Sequence, residues 1–101
     1  MELSWDINAW EDYIYWQKAD KSIIKRINDL IKECLRTPFE GKGKPEALKA
    51  NLSGYWSRRI TDEHRLVYRV YENRILIITR GLSKIGFQYN PYTLIITLRI
   101  Y

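Results

Sequence analysis

The chain has 101 residues, a formal net charge of +5, one cysteine and one histidine. That length predicts one domain with a single modest core, and the charge predicts an anionic partner such as nucleic acid, an acidic protein segment or a membrane surface. Cys34 and His64 are too few for an internal disulfide or a four-ligand zinc site, so neither a structural metal nor a cofactor is expected.

The opening MELSWDINAWEDY carries acids where a signal peptide needs cations, and no apolar run approaches a membrane span. A soluble, cytoplasmic protein is the expectation. Residues 2 to 5 predict a short strand, after which Asp6 or Asn8 caps a helix carrying Trp10, Tyr13, Ile14 and Gln17 on neighbouring turns. From Asp20, the residues Ile23, Ile24, Ile27, Leu30, Ile31, Cys34 and Leu35 recur at helical spacing with charged residues between them. Thr37-Pro38 ends this second helix, because the residue before proline is pushed out of helical geometry. FEGKGKPE, residues 39 to 46, reads as a mobile basic loop.

The period then changes to two. Asn51 to Gly54 is a turn, Tyr55 to Ile60 a strand, Thr61 to His64 a turn, Arg65 to Tyr71 a strand, and Glu72-Asn73 a tight turn into a strand from Ile75 to Thr79. After Arg80, GLSKIGFQYNPYT resembles a loop, and TLIITLRIY looks like another strand. Its Leu-Ile-Ile-Thr at 94 to 97 repeats that at 76 to 79. Residues 1 to 80 are therefore read as the main domain and 81 to 101 as an atypical tail. The fold class is α+β: two N-terminal helices pack on one face of a small antiparallel β-sheet, and the other face is open to solvent or ligand.

Between Thr37 and Tyr68, the carboxylate of Glu46 sits in a run of cations: Lys42, Lys44, Lys49, Arg58, Arg59 and Arg65. That composition suits a phosphodiester-handling surface. A groove that only holds a polyanion gains nothing from a carboxylate, so Glu46 lies off the groove or accepts a proton within it. Strand alternation sends Arg58 and Arg59 to opposite faces and puts Arg65 and Arg69 on a shared one. For these arginines the competing role is a solvated strand edge kept from aggregating by charge. His64 lies in a turn and suits a turn or packing role. Trp5, Trp10, Tyr13, Tyr15 and Trp16 fit core or dimer contacts better than base stacking, and Cys34 continues the apolar stripe of the second helix.

DLIKECLRTPFEGKGKPEALKANLSGYWSRRITDEHRLVYRV resembles the YoeB toxins, members of the RelE superfamily of bacterial toxin and antitoxin pairs, with the likeness running from about residue 3 to 80. The resemblance implies a ribosome-dependent mRNA endoribonuclease, or mRNA interferase, that attacks through the 2′-hydroxyl without metal. It also implies partnership with a YefM-type antitoxin, the ribosome and mRNA, and a tendency to form homodimers. The family's general base falls on Glu46 and its phosphate-stabilising arginine on Arg65, with Lys49 and Arg59 on neighbouring basic positions. Lys42, Lys44 and Arg69 join these as RNA-binding candidates. The family's closing His-Tyr pair falls on Ser83 and Lys84 without gaps, while the ending TLRIY offers Arg99 and Tyr101 instead. No histidine stands at either place, so the alternative to a nuclease is a homologue that binds antitoxin and RNA or ribosome without cleaving.

Overall fold

The computed structural model describes residues 1–78 and the backbone of residues 95–99. Its elements are β1 (Glu2–Asp6), α1 (Ile7–Ala19), α2 (Lys21–Arg36), β2 (Glu46–Ala47), a 3-10 turn at Ala50–Leu52, β3 (Trp56–Arg59), β4 (Arg65–Val70), β5 (Arg74–Ile78) and β6 (Ile95–Arg99). The six strands lie in the order β2-β3-β4-β5-β1-β6. All neighbours are antiparallel except β1 and β5, which run parallel. The meander β3-β4-β5 is antiparallel as expected, and β1 joins β5 in parallel because both helices intervene before the hairpins begin.

Each helix end has a local cause. The Asp6 carboxylate accepts from the Ala9 amide at 2.7 Å and starts α1. Asp20 closes α1 by donating its amide to Trp16 O and opens α2 by accepting from the Ser22 and Ile23 amides. The Ser22 hydroxyl, the first cause, and these amides hold the Asp20 carboxyl below its ordinary value. α2 ends at Arg36, before Thr37-Pro38.

The core lies between the helices and one sheet face, where Leu3, Trp5, Ala9, Ile27, Leu30, Ile31, Cys34, Leu66, Tyr68, Ile75 and Ile77 are buried together. Trp10, Tyr13 and Trp16 pack against it from α1. Ile14 and Gln17, expected on the same face, are exposed. The opposite, outer face has its own small apolar cluster of Tyr55, Val67, Leu76 and Ile78, so it is not open along its whole width. Among the described residues, no helix is long and apolar enough to cross a membrane.

Candidate functional site

Strand register builds the site. Glu46 on β2 is the Cα partner of Ser57 on β3, which is the partner of Val67 on β4. One step of two residues away, Arg59 opposes Arg65. Residues opposite one another, or two apart along a strand, share a face, so Glu46, Arg59, Arg65 and Arg69 all belong to the outer face. Glu46, Arg59 and Arg69 are exposed and Arg65 is half-buried. Arg65 is steadied where it stands, since its Nη1 donates to Thr61 O at 2.8 Å and to Asp62 O at 3.3 Å in the turn between β3 and β4.

Arg58 takes the other direction. It is fully buried on the helix side and is lost to any basic surface. Its guanidinium donates to the carbonyls of Thr37, Glu40 (2.8 Å) and Lys42 (2.8 Å), while its Nε donates to the Tyr68 hydroxyl at 3.1 Å. The Tyr68 hydroxyl in turn donates to Pro38 O at 2.7 Å. A buried cation without a carboxylate is tolerated because three carbonyl dipoles and a hydroxyl take its donors. Burial pushes the Tyr68 phenol up to about 12 and the adjacent Cys34 thiol up to about 11.

The consequence concerns residues 39 to 46, which the glycines mark as mobile. The loop and its lead-in from Thr37 are instead tied down at four points. Besides the three Arg58 bonds, the Arg59 amide donates to Gly43 O at 2.7 Å. Gly43 has φ +83°, and a Cβ there would stand 2.7 Å from Leu30 Cδ2 and 3.0 Å from Arg58 Cβ. Under the same loop, buried Glu33 pairs with Arg36 and accepts from the Thr37 hydroxyl at 3.2 Å. The Arg36 bond leads in holding the Glu33 carboxyl below its usual value. Glu46 therefore leaves the loop as part of a strand. Two non-glycine residues with left-handed backbone, Lys44 (φ 51°) and Ala50 (φ 57°), stand on either side of β2, and such strain persists only where surrounding structure holds it.

Lys42, Lys44 and Lys49 are all exposed around this frame. Other candidates are not brought to it. β6, with Arg99, lies at the edge of the sheet opposite β2, about 24 Å away at five strand spacings, and Arg99 is the Cα partner of Glu2. Tyr101, Ser83 and Lys84 lie outside the described residues. The His64 ring packs 5.3 Å from the Trp16 ring, on the helix side, with its Nδ1 buried. Residue spacing alone missed a second feature of the outer face, where Arg69, Arg74, Tyr55 and Tyr71 interleave; alternation continued past Val70 into the turn would have found it.

Residues 5–81 match the family of YoeB-like toxins of bacterial type II toxin-antitoxin systems. The chain belongs to this family. It is 65% identical over 77 residues to the toxin YoeB of Escherichia coli K12, which covers 76% of this chain and 92% of that protein. Among solved structures, it is similar to the heterotetrameric YoeB-YefM toxin-antitoxin complex of Staphylococcus aureus, with a TM-score of 0.75, 49% identity and coverage of 80% of this chain and 94% of that one. It is also similar to the YoeB dimer of the same organism, with a TM-score of 0.74, 49% identity and the same coverage. In this YoeB-like toxin β6 lies beyond residues 5–81, the stretch that matches the family.

Proposed function

We propose that this toxin is a ribosome-dependent mRNA endoribonuclease with Glu46 as general base and Arg65 as the principal phosphate stabiliser. The observation that carries the reading is the register placing Glu46 on the same exposed face as Arg59 and Arg65. Glu46 takes the proton of a 2′-hydroxyl, whose oxygen attacks the adjacent phosphorus; the 5′-oxygen then leaves, giving a 2′,3′-cyclic phosphate. Arg65, with Arg59 and Lys49, offsets the charge of the pentavalent intermediate. Lys42, Lys44 and Arg69 hold flanking phosphates. Its partners on this reading are a YefM-type antitoxin and a second copy of the chain, as in the Staphylococcus aureus assemblies, together with ribosome and mRNA in the cytoplasm.

A second reading rests on the leaving-group proton. His64, the chain's one imidazole, packs edge-on against Trp16 on the helix side, away from Glu46, so a homologue that binds but cleaves weakly is the alternative. In vitro translation with mapped mRNA ends tests both. Cleavage that disappears in Glu46→Ala and Arg65→Ala supports the nuclease. Absence of cleavage by the parent chain, restored when everything after Arg80 is replaced by a family-like Tyr-His-Tyr ending, supports the binding homologue. Cleavage unaffected by either alanine would sink the assignment of Glu46 and Arg65.

A further inference from the structure

Glu46 sits on the edge strand of a cationic face, and its row across the sheet divides that face into two flanks. Its row, Glu46–Ser57–Val67, meets Arg65 two residues along β4 in one direction and Arg69 two residues along in the other. Around Arg69 the outer face changes character. The Arg69 guanidinium carbon lies 5.5 Å from the Tyr55 ring centroid and 5.3 Å from that of Tyr71, and the Arg74 guanidinium carbon lies 4.6 Å from the same Tyr71 ring. Tyr55, Arg69, Tyr71 and Arg74 thus form a ladder of alternating rings and guanidinium planes. It begins at the bottom of the outer face, where Tyr55 is buried, and comes to the surface at Tyr71, half-buried, and Arg69, exposed.

Gly54 fits the ladder as well. Its φ of +94° carries the chain past Arg69, whose guanidinium carbon would stand 3.6 Å from a Cβ built there. The backbone at Gly54 therefore flanks Arg69 on one side. Arg74 is half-buried and backs the Tyr71 ring, whereas Arg69 is exposed and is the cation offered to a ligand.

We propose that Arg69, Tyr71 and Arg74 form a second RNA subsite, in which an unpaired base takes the place of the exposed Arg69 guanidinium on the Tyr71 ring, backed by Arg74, while Arg69 turns to its phosphate. This rests on the reading of the outer face as RNA-handling and adds where the strand continues. Arg65 and Arg69 are about 13 Å apart along β4, four residues at strand rise, a span of a few nucleotides of extended strand with Glu46 between the ends. An acidic peptide would be held by the cations alone. A ring backed by one guanidinium at 4.6 Å and covered at 5.3 Å by an exposed one that can leave matches a nucleobase, since base stacking on aromatics is indifferent to sequence and is strengthened by arginine.

The test uses the full chain with Glu46→Ala, so that RNA stays intact, and fluorescence anisotropy with single-stranded RNA of about two and about six nucleotides. Tyr71→Leu should lower affinity for the longer RNA about fivefold or more, by loss of one base stack, while Tyr71→Phe keeps it. Arg69→Ala should reduce the slope of log affinity against log salt by about 0.7, one phosphate on a single strand. The short RNA, seated near Arg59 and Arg65, should be insensitive to both, whereas Arg59→Ala should weaken both lengths. If Arg59→Ala weakens binding and the ladder variants change neither length, the second subsite is wrong and the nuclease reading stands. If neither set changes RNA binding while thermal melts show the fold intact, the RNA reading itself fails and takes the subsite with it. Ladder variants that spare RNA but weaken a glutamate-rich peptide would overturn the proposal and make the ladder an antitoxin contact.

Discussion

Arg58 and Arg59 are adjacent in the chain and do opposite work: the first is fully buried among backbone carbonyls on the helix side, and the second opposes Arg65 on the exposed outer face. The buried arginine holds the loop that leads into β2, and the exposed one belongs to the face that β2 presents. Order in the loop and charge on the face thus come from one dipeptide.

Arg58→Ala should therefore destabilise far more than a surface arginine. It removes the guanidinium from the carbonyls of Thr37 and Lys42, leaves Glu40 O with the Thr37 hydroxyl alone, and leaves the Tyr68 hydroxyl short of a donor. Bonds to a charged group contribute about 1.5 to 3 kcal/mol each, partly recovered when the loop opens to water, so a loss of at least about 3 kcal/mol is expected in urea unfolding. Arg58→Lys should recover little, because an ammonium cannot reach this spread of acceptors. A loss below about 1 kcal/mol would show that the loop holds without the guanidinium.

Gly43→Ala tests the same loop from the backbone. The left-handed φ and the 2.7 Å approach to Leu30 leave a methyl nowhere to go, so we expect more than about 1 kcal/mol of destabilisation. Amide hydrogen exchange should quicken at Arg59, whose N–H is bound to Gly43 O. Unchanged protection there would contradict the proposed coupling between loop and strand.

Alkali should unfold the protein through Cys34 and Tyr68. Both groups are neutral when folded and raised by burial, from 9.0 to about 11 and from 10.0 to about 12. The unfolded chain releases these protons first, so their stabilising contribution is complete below about pH 9 and is lost as pH rises through the folded values. Each proton adds up to about 1.4 kcal/mol per pH unit to the fall in stability. Melting temperatures followed from pH 8 upward should fall less steeply in Cys34→Ala and in Tyr68→Phe than in the parent. Parallel slopes in all three would refute the linkage.

Removing β6 should expose an edge. Ile95–Arg99 covers the side of β1 not taken by β5, with five residues in register from Glu2↔Arg99 to Asp6↔Ile95. A chain truncated after Gly81 presents β1 with unpaired amides and carbonyls, an invitation to strand pairing between molecules. Light scattering should show concentration-dependent association beyond that of the full chain. A truncated form with the parent's oligomeric state would mean that the β1 edge is guarded by other means.

Much of the architecture was legible because period and caps are local properties. The apolar spacing from Ile23 to Leu35 marked α2, Asp6 was one of two named caps, and the switch to period two after the loop announced β3, β4 and β5. Alternation along a strand also separates Arg58 from Arg59 by itself. The basic loop misled because glycine advertises conformational freedom, whereas what immobilises these glycines is a side chain some fifteen residues later, Arg58, bonded to Lys42 O.

What the sequence alone determined is the set of elements, their amphipathic faces and the family motif carrying Glu46 and Arg65, all written in neighbouring residues. Only the tertiary structure decided which cations stand with Glu46. Register between strands is fixed by hydrogen bonds and core packing across long separations, and a slip of one residue would turn every arginine to the other face. The same long-range pairing put β1 beside β5 in parallel and β6 at the far edge, which no local pattern encodes.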